Sequence, residues 1–204
     1  MNVAKAIYVF IFMVGIHCMV LGQKVLVIRA GVNMNNQLES KFSTEDLNPG
    51  ILISAGLIND FTDRFGSGLE VGYIEKAALH EIDSVEVMDK NQFIELGVSV
   101  RLKKKWESSS LFLTGGMLLS FWQDGSRTYK EELGDRVENL TFPDARSKLD
   151  VGMYLGAGFS FKGIMLELRT HQGLVDISND KYDTTPIFNQ GVSISLGYAF
   201  GLDN

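Results

Sequence analysis

His171, Asp176 and Ser178 fall within one short stretch and carry the residue types of a hydrolytic triad. Acyl-transfer chemistry also needs a nucleophile hydrogen-bonded to its base and an oxyanion site. Neither is defined around these residues, so His80 and His171 read more simply as solvated residues in or beside loops. The run 176–183, "DISNDKYD", offers oxygen ligands for calcium but lacks the spacing and the glycine of an EF-hand loop. "GAG" at 156–158 is no phosphate loop, because it lies inside an alternating segment and no G-x-G-x-x-G follows. The sole cysteine, Cys18, sits in the first apolar segment, which removes thiol catalysis, disulfides and cysteine-based zinc sites from the remainder. No catalytic residue, metal site or cofactor is predicted.

A second set of charges follows a pattern. Arg29, Glu70, Glu95, Arg101, Asp150, Glu167 and Arg169 all fall on the polar side of segments whose apolar residues recur with period two, the strand period. In "FIELGVSVRL", Ile94, Leu96, Val98, Val100 and Leu102 oppose Phe93, Glu95, Gly97, Ser99 and Arg101. In "LDVGMYLGAGFSF", Leu149, Val151, Met153, Leu155, Ala157, Phe159 and Phe161 oppose Asp150, Gly152, Tyr154, Gly156, Gly158 and Ser160. "GVSISLGYAF" near the end repeats the rule. "KVLVIRAGVN", "GILISAGLI", "GLEVGYIE", "LFLTGGMLLSFW" and "GIMLELRT" follow it with lapses such as Leu118 and Met165, which makes eight strands.

The connections alternate in length. Residues 34–49, 78–91, 123–147 and 171–187 are long, whereas 60–66, 103–110 and 162–163 are short, the last being the length of a tight hairpin turn. Short turns on one side and long loops on the other, with an even strand number, describe an up-and-down barrel of the bacterial outer membrane, both termini then lying in the periplasm. Residues 1–22 read as a cleavable signal peptide, with Lys5 before an apolar stretch, and 23–204 as one barrel domain. No later apolar run is long enough for a transmembrane helix. A formal charge of −6 and a pI near 5.1 argue against a nucleic-acid partner.

Alternation alone fits a soluble lipocalin-like barrel as well. Volume separates the two, since eight strands enclose a lumen that side chains just fill. Here the bulky set is Ile, Leu, Val, Met and Phe, and the opposite set is mostly Gly, Ser, Ala and Thr, so the bulky set is assigned to lipid. Phe61, Phe65, Trp106, Phe112, Phe161 and Phe200 then mark one interface and Tyr73, Phe121 and Trp122 the other. The seven inward charges are expected to pair across strands and plug the lumen. "KKKW" at 103–106 suits a turn against phospholipid headgroups. Glu81, Asp83, Glu86 and Asp89 would serve solubility or bridge through divalent cations to lipopolysaccharide.

Taken in order, "RAGVNMNN", "PGILISAGL", "LEVGYIEKA", "FIELGVSVRL", "LELRTHQGLVDIS" and "FNQGVSISLGYAF" resemble the PorT-like outer-membrane β-barrel family over nearly the whole chain after residue 22. The resemblance implies an eight-stranded barrel in a Gram-negative outer membrane, with some members associated with protein secretion and no catalytic residues to carry over. The expectation is therefore a non-enzymatic barrel presenting outer loops, with an interaction, envelope-integrity or secretion-associated role. Its partners would be membrane lipid, lipopolysaccharide and envelope or secretion-system proteins. A barrel that binds or transports a small ligand or ion is the alternative within the same fold.

Overall fold

The computed structural model describes residues 23–38, 48–82, 85–130, 135–140, 148–177 and 187–201. Among these the alternating segments form nine antiparallel strands: β1 (Gln23–Leu38), β2 (Asn48–Asp60), β3 (Phe65–Ile82), β4 (Val85–Trp106), β5 (Ser109–Lys130), β6 (Arg136–Leu140), β7 (Leu149–Phe161), β8 (Ile164–Gly173) and β9 (Phe188–Gly201). Strands β1 to β6 pair each with the next, as do β7 to β9; β5 also pairs with β7 past β6, and β1 pairs with β9. Eight strands thus close a barrel, which leaves no edge within the wall. The ninth, β6, is a satellite on the far end of β5.

Gln23 and Gly201 lie at the end that also carries the three short turns. There Thr62 Oγ1 accepts hydrogen bonds from the amides of Arg64 and Phe65, and the amide of Thr62 bonds back to the Phe65 carbonyl at 3.1 Å. Lys162 and Gly163 both take positive φ (47° and 86°), as a two-residue hairpin turn requires. The expected turn at 103–110 is shorter than anticipated, because β4 runs through Trp106 and β5 resumes at Ser109.

The far end differs more from expectation. The expected loop 78–91 is mostly strand, since β3 continues to Ile82 and β4 begins at Val85. The expected loop 123–147 contains the end of β5 and all of β6. Pairing of β3 with β2 stops at Leu52 and Ile74, and β3, β4, β5 and β6 continue beyond it as a four-stranded sheet whose one face is buried at Ala77, Val87 and Asp89. At about 3.3 Å per residue, the eight residues of β4 ahead of Phe93 add about 25 Å of strand. A bulge marks the transition: Gln92 opposes Asp124 while Phe93 opposes Trp122, which leaves Gln123 as the extra residue.

Bulky apolar residues cover the outside. Leu155, Leu196, Val100 and Leu113 are each more than half exposed, and Phe61, Phe65, Trp106, Phe161 and Phe200 form an exposed aromatic fringe at the short-turn end. Phe112 and Trp122 do not join these girdles. They share the parity of Thr114 and Ser120 and point inward, Phe112 into a cluster with Val27, Ile58 and Met165, and Trp122 against Leu52, Ile74 and Phe93. Trp122 Nε1 donates to Asn91 Oδ1 at 3.0 Å, which satisfies its polar atom.

Candidate functional site

The two inward apolar clusters lie at different heights in the lumen, and the charged residues lie between them. Their placement follows from strand parity: Arg29 is two residues beyond Val27, Glu167 and Arg169 continue the face begun by Met165, and Lys76 follows Ile74. Small residues opposite make the room. A Cβ on Gly156 would lie 3.0 Å from Arg169 Cγ and 2.6 Å from Thr114 Oγ1, and one on Gly158 would overlap the Phe112 ring. The "GAG" segment is thus a gap in the wall that admits an arginine and an aromatic ring.

Nearer the short turns, Arg169 grips Glu70 with both guanidinium nitrogens, at 3.0 and 2.9 Å, and reaches Glu167 at 3.1 Å. Arg29 ion-pairs with Glu70 through Nη1 and approaches Glu167 Oε2 at 3.3 Å through Nε. Thr114 Oγ1 donates to Glu167 at 2.9 Å, and Arg169 lies over the Tyr154 ring at 4.8 Å. Glu167 is 1% exposed, so a charge there persists only because Arg29, Arg169 and Thr114 surround it.

Farther from the turns, the centre is a lysine. Lys76 Nζ meets Glu95 Oε1 at 2.9 Å, Ser120 Oγ at 3.2 Å and Asp150 Oδ2 at 3.3 Å, which uses its three protons. Ser120 also donates to Glu95 at 2.6 Å and Asn189 to Asp150 at 2.8 Å. Lysine beside serine is a nucleophile–base pair by type. Here the hydroxyl proton goes to Glu95, and the pair is enclosed between apolar layers with no oxyanion site in view.

Six of the seven charges singled out in the sequence therefore stand in ion pairs. Arg101 does not: it stacks on the Phe112 ring at 3.5 Å, and among the described residues no carboxylate lies within ion-pair distance of it. Sequence reasoning missed Lys76, Lys103 and Asp60. Lys76 continues the parity of Glu70, Gly72 and Ile74 one step past the expected strand end, and Lys103, two residues beyond Arg101, ion-pairs with Asp60 inside the barrel mouth. Lys103 thus faces inward while Lys104 and Lys105 are exposed, and Lys104 lies 5.5 Å from the Trp106 ring.

His171 is not a loop residue. It lies on β8 opposite Tyr154 and faces inward, 8% exposed, with Nε2 lacking a partner. Asp176 accepts the Ile187 amide at 2.9 Å, and Ser178 and most of "DISNDKYD" lie outside the described residues. The side chains of His80, Glu81 and Asp83 also lie outside them. Glu86 and Asp89 are taken by cations of the chain itself, Lys130 and Arg127. The Asp89 carboxylate accepts from Arg127 Nε and Nη2 at 2.7 and 2.8 Å, and these hydrogen bonds hold the guanidinium above its ordinary pKa. Among the described residues no group of three or more His, Cys, Asp or Glu side chains is placed to hold a metal ion.

A closed antiparallel barrel with an oily exterior, an aromatic fringe and ion pairs inside is the form in which strands cross a bilayer. Residues 24–179 match the family model "Outer membrane protein beta-barrel domain", and the chain belongs to that family. No curated protein matches it. Among solved structures it is similar to Ail, the attachment invasion locus protein of Yersinia pestis, in complex with the heparin analogue sucrose octasulfate. The two share 12% identity over 87% of this chain and 99% of that one, with a TM-score of 0.46. Neisserial surface protein A matches at 13% identity, 87% and 96% coverage and a TM-score of 0.41. The outer membrane enzyme PagL matches at 13% identity, 84% and 98% coverage and a TM-score of 0.44.

Proposed function

We propose that this outer-membrane barrel is non-enzymatic and works by presenting its far-end sheet to the outside, in an interaction, envelope-integrity or secretion-associated role of the PorT-like kind. The observation that carries the reading is the sheet of β3, β4, β5 and β6, which continues about 25 Å of strand beyond the wall it grows from. That investment has no use in crossing the membrane, because the barrel is already closed below it. The lumen argues in the same direction: among the described residues it is packed by an apolar layer, two charged tiers and a second apolar layer, side chains that stand in the way of a solute.

In this reading residues 1–22 are a signal peptide, the short turns and both termini face the periplasm, and the exposed Lys104, Lys105 and Trp106 meet phospholipid headgroups there. The projecting sheet meets lipopolysaccharide and envelope proteins. Charges on β4, β5 and β6 stand in pairs, Asp89 with Arg127, Glu86 with Lys130 and Glu138 with Arg136, which suits a strand sheet that does not aggregate at its edges.

The test shortens the β3–β4 hairpin by joining Ala77 to Lys90 through a two-residue turn. The shortened protein is expected to reach the outer membrane as a heat-modifiable barrel and yet fail to restore detergent resistance to cells lacking the gene. Full restoration by the shortened protein, or discrete channels from the intact protein in planar bilayers, would move the function into the barrel and favour the transport alternative.

A further inference from the structure

We infer that the arginine-rich tier of the interior holds one small monovalent anion of halide size, bound against Arg101. Three guanidinia, those of Arg29, Arg101 and Arg169, face two carboxylates there, Glu70 and Glu167. Arg29 and Arg169 occupy both carboxylates between them. Arg101 is left over: it is 8% exposed, its Nε has no hydrogen-bond partner, and no carboxylate among the described residues lies within ion-pair distance. The ring of Phe112 stabilises the cation from one side but accepts no conventional hydrogen bond. A buried charge with no counter-charge is costly enough that folded proteins rarely keep one.

The space beside it is of the right size. A cavity of about 20 Å³ has Arg29, Arg101 and Arg169 in its lining together with Ser67, Ser99, Thr114 and one carboxylate, Glu70, whose oxygens are held by Arg29 and Arg169. That volume admits a single occupant the size of a water molecule. A chloride or bromide ion fits and removes the excess positive charge, whereas water fits and removes none of it. Phosphate, sulfate and carboxylate headgroups are too large, and three guanidinia repel any cation. The spare carboxylate of the lysine tier does not serve instead, because Glu95 lies six residues, about 20 Å of strand, from Arg101. Asp60 is committed to Lys103.

The protein folded in detergent is heated in chloride, bromide or gluconate at one pH and one ionic strength, and the midpoint of the folded-to-unfolded gel shift is read. Chloride and bromide are expected to raise that midpoint by several degrees over gluconate, saturably, because an anion that binds only the folded barrel stabilises it by mass action. Arg101→Met removes the charge, and Ser99→Asp places a fixed carboxylate two residues away on the same face; each abolishes the increment. The chloride NMR line of the wild-type protein, broadened beyond that of its heat-unfolded form, gives a second reading that needs no variant. Equal midpoints in chloride and gluconate without excess line width overturn the proposal. An undiminished increment in folded Arg101→Met does the same, since it moves the anion elsewhere.

Discussion

The two charged tiers of the lumen solve one problem with different chemistry. In the tier near the short turns, arginines bridge: each guanidinium of Arg29 and Arg169 reaches both Glu70 and Glu167, so four side chains from β1, β3 and β8 form one lattice. In the other tier a single lysine is the hub, and the neutral groups Ser120 and Asn189 complete the shells of Glu95 and Asp150. A planar fork suits two carboxylates lying side by side, whereas a compact ammonium suits three acceptors converging on a point. The first arrangement spreads each charge over several bonds; the second concentrates it. Deleting one member should therefore have unequal consequences, because the neutral donors of the lysine tier remain when the lysine is gone and the arginine tier has almost none.

The largest effect is expected from Glu70→Leu. It leaves Arg29 and Arg169 sharing Glu167 alone, with two buried guanidinia under-neutralised, and costs roughly 3–5 kcal/mol of barrel stability. Urea unfolding in lipid vesicles, followed by emission from Trp106 and Trp122, measures it. A loss below about 1 kcal/mol would mean that water enters this tier freely, and the contrast between the tiers would fail. Lys76→Met comes next. Ser120 still donates to Glu95 and Asn189 to Asp150, and a buried carboxylate left without its cation can be neutralised by a proton, a route closed to a guanidinium, so the expected loss is about 1.5–3 kcal/mol. If Lys76→Met proves costlier than Glu70→Leu, the point charge and not the lattice is the main support of the interior.

Both tiers were legible in outline from the sequence, because a lipid-facing stripe forces alternation and alternation assigns every other residue inward. Arg29, Glu70, Glu95, Asp150, Glu167 and Arg169 were placed by parity alone. Parity also held the answer for Lys76, Phe112 and His171. Lys76 was lost because Ile74, an apolar residue facing inward, disguises the polar side of β3 just before it. Phe112 and Trp122 were misplaced because aromatic rings suit both a membrane interface and a lumen that needs filling, and only the residues at i±2 distinguish them. The projecting sheet could not be read at all. Beyond the wall the covered face of β4 carries Val87 and Asp89, an apolar and a charged residue side by side, so "HEIDSVEVMDKNQ" carries no oily stripe and looks like a loop. Its strands are fixed by main-chain pairing, and the alternation of burial along residues 86–90 is not matched by an alternation of apolar and polar residue types.

That sheet supplies the smallest and most discriminating test. Asp89 and Arg127 form a two-bond pair as regular as any in the lumen, at 2.7 and 2.8 Å, yet Arg127 is 27% exposed against 5% for Asp89, so solvent reaches the pair from the arginine side. If geometry alone set the strength of an ion pair, Arg127→Ala would cost as much as a break in the arginine tier. If burial sets it, solvent on the arginine side lowers the cost to about 1.5–3 kcal/mol, the scale of hydrogen bonds to a charged group. The second outcome is expected, together with a spatial separation of effects. Urea unfolding of the barrel should stay within experimental scatter of the wild type, while proteolysis within residues 85–130 accelerates as the sheet opens locally without the wall. An equal loss in both measurements would show that the sheet and the barrel unfold as one unit, and that the far-end sheet is a structural continuation of the wall and not a separately stabilised surface.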